Sequence, residues 1–147
     1  MLSDEENQMI RVLTEAIFPG AVEAKVYEFI YRDMISNRFL EEMYRNGLKR
    51  LNEEAWRLHC LKLLYLDQGQ LTDLMAMNEN SEFFKYVRDH TLEGMFSDPI
   101  YGGNYLALGW RLLGYAGPTY HPPETLNDVK LPSLYYSLEG IAYEDKE

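Results

Sequence analysis

The sequence predicts an all-α protein, a single-domain bundle of about six to seven helices with a long, mostly extended C-terminal arm. Apolar residues recur at helical spacing from Met9 to Met95, and capping residues or Pro and Gly divide that stretch into segments. No segment alternates between apolar and polar residues as a half-buried strand does. The length of 147 residues suits one domain over residues 1–147, with a helical body at about 3–114 and the arm at about 115–147.

The first two helices are predicted from a cap and an apolar stripe. Ser3 followed by Glu6 forms a capping box, and the helix that it starts should end before Pro19 and Gly20. A second helix is expected over residues 22–34, because its apolar residues fall at i, i+4, i+7, i+8 and i+12. The sequence therefore predicts two helices within its first 34 residues.

The remaining helices follow the same pattern of an N-cap residue and an inward apolar face. They are expected at residues 40–51, at 52–66 with Asn52 as cap, at 67–75 with Asp67 as cap, and from Asn80 or Ser81 to Met95. Beyond them, Asp98 and Pro99 should stop the helix, and Gly102 and Gly103 should turn the chain. Asn104 can then cap one more short helix, which Gly114 ends.

The charge excludes some classes of partner. The chain has 24 acidic and 14 basic residues, a formal charge of −10, and most of the excess lies after residue 62. Such a surface repels phosphate backbones and anionic lipid, so we expect no nucleic-acid partner. No apolar run reaches the roughly 20 residues of a membrane span, and the acidic start lacks the basic region of a signal peptide.

The sequence shows no set of catalytic or metal-binding residues. A carboxylate-bridged metal site in a helical bundle needs Glu-x-x-His, and no histidine here has an acidic residue three positions before it. His90 and Glu93 share one helix face and could begin a metal site, but no third ligand is identifiable. We expect ordinary hydrogen bonding for His90, and no catalytic, cofactor-binding or metal-binding residues in this chain.

The aromatic residues carry more information. Seven of the twelve tyrosines lie at or after Tyr101. Tyrosine combines a large apolar area with a polar tip, which suits a protein interface. Two interpretations are compatible: the aromatic region packs on its own bundle, or it binds a partner.

Two segments carry a resemblance to a known family. Residues 90–104 read HTLEGMFSDPIYGGN and residues 109–118 read GWRLLGYAGP. Together with an upstream Ile-Phe-Pro and the pair Phe83-Phe84, they resemble the hallmark of the gluconate 2-dehydrogenase subunit 3 family. The resemblance spans nearly the whole chain and is strongest over residues 83–118. We call residues 90–118 the hallmark segment.

The resemblance implies a non-catalytic small subunit of a complex that oxidises gluconate, sorbitol, fructose or glucose. In such complexes a large subunit of the glucose-methanol-choline type holds FAD, and a multihaem cytochrome subunit often passes electrons to quinone. The small subunit carries no redox centre and is associated with maturation and export of the large one. The family is periplasmic or associated with the cell envelope, although the missing twin-arginine signal leaves a cytoplasmic location open.

We interpret the hallmark segment as an architectural turn that presents aromatic residues to the partner. The residues of the turn are His90, Glu93, Asp98, Pro99, Gly102, Gly103 and Asn104. The predicted partner-binding anchors are Phe96, Tyr101, Tyr105, Trp110 and Tyr115, of which Trp110 could serve the core instead. Two alternatives stay open: a free-standing adaptor bundle with an unrelated partner, and a metal-dependent or hydrolytic enzyme that uses His90 and Glu93.

Overall fold

The computed structural model describes residues 1–118, 134–139 and 142–144, and most of these residues are helical. The α-helices in this part of the chain are α1 Asp4–Ile17, α2 Val26–Ser36, α3 Arg38–His59, α4 Gln68–Asn78, α5 Glu82–Phe96 and α6 Leu108–Leu113. Short 3-10 turns lie at Leu63–Tyr65, Pro99–Tyr101 and Tyr105–Ala107. The predicted all-α class is confirmed.

The predicted helix starts are confirmed at three caps. The Ser3 hydroxyl accepts the Glu6 N–H at 3.2 Å, and the Glu6 carboxylate accepts the Ser3 N–H at 2.7 Å. Asp67 and Gln70 form the same reciprocal pair before α4. Ser81 caps α5 through its hydroxyl. Each cap satisfies main-chain N–H groups that have no partner inside their helix, which stabilises the helix by about 1 kcal/mol.

Two of the predicted boundaries are wrong. Residues 38–59 form one helix, because Asn52 lies inside α3 and does not start a new helix. Its side chain instead accepts the N–H of Leu63 at 2.8 Å and so caps the following 3-10 turn. The helix predicted from residue 22 begins at Val26, since the Glu15 carboxylate accepts main-chain N–H groups of the turn before it.

The core lies where α1, α2, α3 and α5 meet. Their apolar stripes pack into one cluster, to which Leu63 and Leu74 also belong. The largest fully buried side chains on these four helices are Ile10, Leu13, Val26, Ile30, Leu40, Tyr44, Leu48, Val87 and Met95. Burying an aliphatic side chain of this size contributes about 1.5–3 kcal/mol. This core fixes the end of α5, from which the hallmark segment continues.

A short hairpin lies in the C-terminal region. Strand β1, Leu134–Tyr136, pairs antiparallel with strand β2, Ala142–Glu144, and Tyr135 lies opposite Tyr143. Of the predicted extended arm, residues 119–133, 140, 141 and 145–147 lie outside the described residues.

Candidate partner-binding site

The hallmark segment begins with a helix end followed by a 3-10 turn. Helix α5 ends at Phe96, and Asp98 caps the turn Pro99–Tyr101 by accepting the N–H of Ile100 at 3.0 Å. Pro99 occupies the first position of this turn, where a missing N–H is harmless. Gly102 follows with a φ of +105°, a conformation that side chains rarely adopt. The stop and the reversal expected from the sequence are both present.

Asn104 holds the second half of the segment. It is fully buried, and its amide nitrogen donates to the carbonyl of Ser97 at 2.9 Å. Its amide oxygen accepts the N–H of Gly109 at 2.7 Å and that of Trp110 at 3.4 Å, so it caps α6 from outside the helix. The sequence predicted that Asn104 caps this helix. In addition, its side-chain amide joins Ser97, before the loop, to Gly109, after it.

Two glycines allow the loop to lie directly on α5. A Cβ on Gly103 would overlap the carbonyl oxygen of Gly94, whose carbonyl carbon would be only 2.9 Å away. A Cβ on Gly109 would overlap the carbonyl oxygen of Met95 in the same way. The main chain of the loop therefore touches the main chain of α5, and no side chain fits between them.

The loop backbone is also strained. Asn104, Leu106 and Ala107 all have positive φ, between 48° and 56°. Asparagine tolerates this region, but each of the other two positions costs about 1 kcal/mol or more. Such strain persists only where surrounding contacts impose it, and it is concentrated at functional sites.

The loop is fastened to α2 and to the turn before it. The N–H of Tyr105 donates to the carbonyl of Ala24 at 3.0 Å. The guanidinium of Arg32 donates to the carbonyl of Ile100 at 3.0 Å. The ammonium of Lys25 lies 4.0 Å from the centre of the Tyr105 ring, a cation–π contact. The loop thus has a fixed place relative to α2.

The predicted anchors divide into an outward and an inward group. Tyr101, Tyr105 and Tyr115 are exposed, at 54%, 42% and 43%. Trp110 is only 3% exposed, and its indole N–H donates to the carbonyl of Phe96 at 2.8 Å. Phe96 itself is half-buried, edge-on to the ring of Phe18. The structure therefore brings three of the five anchors to the surface, and the other two support the loop from within.

Two further apolar residues of the hallmark segment are exposed. Leu112 and Leu113, on α6, are 67% and 64% exposed. Apolar side chains that form a contiguous exposed patch are typical of surfaces that bind another protein. The sequence placed Leu112 on a short helix without showing which way it faces. We call Tyr101, Tyr105, Leu112, Leu113 and Tyr115 the hallmark surface.

The C-terminal hairpin touches the same loop. The second carboxylate oxygen of Asp98 accepts the N–H of Leu138 at 2.7 Å. Tyr143 packs against Ala107 and Trp110, and partial burial there raises the pKa of its phenol. Asp98 thus links the 3-10 turn to the hairpin.

His90 is buried and contacts side chains of two other helices. Its Nε2 is 3.2 Å from a carboxylate oxygen of Asp33 on α2, and its Nδ1 is 2.9 Å from the hydroxyl of Tyr44 on α3. The His90 ring thus contacts α2 through Asp33 and α3 through Tyr44. Burial is the main reason that the pKa of Tyr44 lies well above its usual range. Glu93 is exposed on the same helix.

The comparisons with known proteins identify the family of this chain. The family model described as gluconate 2-dehydrogenase subunit 3 matches residues 4–117, which is most of the chain. The chain belongs to the gluconate 2-dehydrogenase subunit 3 family. It is therefore an accessory subunit of a dehydrogenase complex. No match was found among curated proteins or among solved structures.

The matched residues run from α1 to α6, so the match covers the core and nearly all of the hallmark segment. Among the described helices, none combines the length and the apolar character needed to cross a membrane. The described residues also include no cluster of three or more His, Cys, Asp or Glu side chains arranged to hold a metal ion.

Proposed function

We propose that this subunit is non-catalytic and binds the FAD-containing large subunit of its complex, a flavoprotein of the glucose-methanol-choline type, through the hallmark surface. FAD belongs to that partner, with no cofactor in this chain, and a multihaem cytochrome subunit is a further partner. The complex acts in the periplasm or at the cell envelope. All of these statements go beyond the family assignment. The contacts of the hallmark loop support the first statement, that the hallmark surface binds the large subunit.

The observation that carries the proposal is a fixed loop that presents exposed aromatic side chains. The main chain of the loop is held against α5 at Gly103 and Gly109 and to α2 through Arg32. Binding then requires little ordering of the backbone, so more of the interface energy is available as affinity. Aromatic anchors that are positioned in advance are the usual hot spots of protein interfaces.

We further propose that binding helps the flavoprotein to reach its folded, FAD-loaded state before export. A subunit that binds only the native partner stabilises it by mass action. The exposed tyrosines and leucines of the hallmark surface can cover apolar area on the partner during assembly. This role needs no reactive group in the small subunit.

The alternative of a metal-dependent enzyme that uses His90 is less well supported. Both ring nitrogens already have partners, Tyr44 and Asp33. A metal could bind only after one of these contacts is broken, and Glu93 is exposed whereas His90 is buried. The alternative of an adaptor with an unrelated partner remains an outcome of the experiment below.

Affinity purification of the tagged subunit from its native host tests the partner. We expect a flavoprotein dehydrogenase to co-purify, and each true anchor to weaken binding by about 2 kcal/mol, roughly 30-fold in Kd, when cut to alanine. Tyr101→Ala and Tyr105→Ala are the test variants. Tyr65→Ala is the control, because Tyr65 is 73% exposed but lies on the turn after α3. Equal binding by all three variants would show that the loop is merely structural.

Expression of the large subunit with and without the small subunit tests the role in maturation. We expect loss of soluble, FAD-containing large subunit when the small subunit is absent, with no change of substrate range. Equal yield, flavin content and activity in both cases would refute assistance in maturation and leave a binding role alone.

A further inference from the structure

The C-terminal hairpin contacts the loop between α5 and α6, the hallmark loop, near both of its ends. At the start of the loop, the carboxylate of Asp98 is almost fully buried and accepts the N–H of Leu138 at 2.7 Å. At the other end, the ring of Tyr143 packs against Ala107 and Trp110. The hairpin therefore bridges the loop from its first turn to the start of α6.

The strained part of the loop lies between these two contacts. Leu106 and Ala107 have φ values of 54° and 56°, a conformation that residues other than glycine rarely adopt. Such strain persists only where surrounding contacts impose it. Ala107 is fully buried, and the packing of Tyr143 against it is one such contact. Loss of this packing would allow the loop to relax into other conformations.

The hairpin lies beside the hallmark surface without covering it. Tyr101 and Tyr105 are exposed with the hairpin in place. Tyr143 is a neighbour of Tyr105, because burial is the main cause that raises the pKa of the Tyr143 phenol and Tyr105 is among the further causes. An element placed beside exposed tyrosines suits support of the binding surface, whereas an inhibitory lid would hide them.

The contacts of the hairpin can change without unfolding the bundle. A two-stranded hairpin is marginally stable by itself in water, so docking on the loop stabilises it. The main core, where α1, α2, α3 and α5 meet, includes no described residue of the hairpin. Undocking of the hairpin would therefore alter the hallmark loop and leave the main core intact.

We propose that the C-terminal hairpin holds the hallmark loop in the conformation that binds the flavoprotein subunit, and so sets the affinity of the hallmark surface. The proposal rests on the proposed function, because the affinity in question is that of the hallmark surface. The apparent Kd equals the intrinsic Kd divided by the fraction of subunits that are competent to bind. Docking of the hairpin raises this fraction, and Asp98 and Tyr143 are positioning residues that act through the loop.

Two substitutions of Leu138 separate the support of the loop from direct contact with the partner. Leu138→Pro removes the N–H that Asp98 accepts, at a turn position where proline is tolerated. Leu138→Ala is the matched control, because it keeps this N–H and removes only an exposed side chain. The assay is surface plasmon resonance with the flavoprotein that co-purifies with the wild-type subunit.

We expect Leu138→Pro to weaken binding by about tenfold through slower association, with unchanged dissociation, and Leu138→Ala to bind normally. Normal binding by Leu138→Pro would overturn the proposal. Equal weakening by both variants would also overturn it, in favour of a hairpin that contacts the partner directly, and so would faster dissociation of Leu138→Pro.

Substitutions of Tyr143 supply a second test, which decides if Leu138→Pro does not fold. Tyr143→Ala removes the ring that packs against Ala107, and Tyr143→Phe keeps it. We expect about tenfold slower association for Tyr143→Ala and wild-type binding for Tyr143→Phe, while circular dichroism at 222 nm shows a folded bundle in both. Equal binding by the two variants would overturn the proposal.

Amide exchange in the free subunit tests the support of the loop without any partner. The N–H of Ala107 donates to the carbonyl of Asn104 at 2.8 Å within the loop. We expect its exchange to be about tenfold faster in Leu138→Pro and Tyr143→Ala than in the wild type. Unchanged exchange in both variants would overturn the proposal. Failure of the wild-type subunit to bind any flavoprotein is a different result, which refutes the proposed function itself.

Discussion

Substitution of Gly103 by alanine tests the close packing of the hallmark loop on α5. A Cβ at this position would overlap the carbonyl oxygen of Gly94, and this oxygen would have to retreat by about 1 Å or more to reach ordinary contact at 3.4 Å. The atoms of Gly94 that the new Cβ would meet belong to the main chain of α5, so they cannot rotate away as a flexible side chain could. The shift would also stretch the bonds that Asn104 and Tyr105 make nearby, at 2.9 and 3.0 Å.

The expected loss follows from these contacts. Overpacking of a filled site costs about 1–3 kcal/mol, and one weakened hydrogen bond adds about 1 kcal/mol. We therefore expect Gly103→Ala to lower the free energy of unfolding by about 2–4 kcal/mol, and the Tm by roughly 5–15 °C. Urea unfolding followed by circular dichroism at 222 nm measures the change.

A control substitution in α4 should raise the free energy of unfolding instead of lowering it. Gly69 is exposed within this helix, and a Cβ there would meet only the Asp67 carboxylate, at 3.4 Å. Gly69→Ala should therefore stabilise the protein by about 0.5–1 kcal/mol through helix propensity. If Gly103→Ala proved as stable as the wild type, or as Gly69→Ala, the main-chain contact with α5 would be refuted.

Three further predictions concern buried polar groups. Asn104→Ala should destabilise the protein by about 2–4 kcal/mol in urea unfolding, because it leaves the Gly109 N–H unpaired; a loss below about 1 kcal/mol would contradict its role. Burial raises the pKa of Tyr44, so its contribution to stability is present below about pH 10 and is lost as the pH rises through the folded-state value. In ultraviolet titration, the folded Tyr44→Phe variant should therefore show as many ionising tyrosines as the folded wild type, because Tyr44 stays protonated in the fold. After unfolding, the variant should show one ionising tyrosine fewer than the wild type. One fewer already in the folded state would contradict this prediction. Asp98→Ala should speed amide exchange at Leu138 by about tenfold in NMR, and an unchanged rate would mean that Asp98 does not hold the hairpin.

The features that the sequence predicted are local ones. The capping boxes at Ser3 and Asp67 depend on residues three positions apart, and such pairs can be read directly from the chain. The turn at Pro99 and Gly102 was predictable for the same reason, because the backbone preferences of these residues act within a few positions. The prediction that Asn52 starts a helix was wrong for a non-local reason. Its side chain accepts the N–H of Leu63, eleven residues later in the chain.

The features that the sequence could not predict depend on distant partners. His90 and Glu93 share a helix face, which suggested a pair, but His90 turns inward to Asp33 and Tyr44, and Tyr44 precedes it by 46 residues. The close approach of Gly103 to Gly94 required the path of the loop over α5. Neither contact leaves a periodic signal in one sequence. The burial of Trp110 could not be predicted either, since its indole N–H donates to the carbonyl of Phe96 at the end of α5.

The two groups of side chains in the hallmark segment make stability and binding separable by experiment. Gly103 and Asn104 face the bundle, so substituting them disturbs the loop and with it any interface that the loop forms. Tyr101 and Tyr105 face outward, and their removal leaves every hydrogen bond of Asn104 in place. A hallmark segment that serves binding should therefore yield outward variants that fold normally and bind poorly. If outward and inward variants always lost stability together, the segment would serve the fold of the small subunit alone.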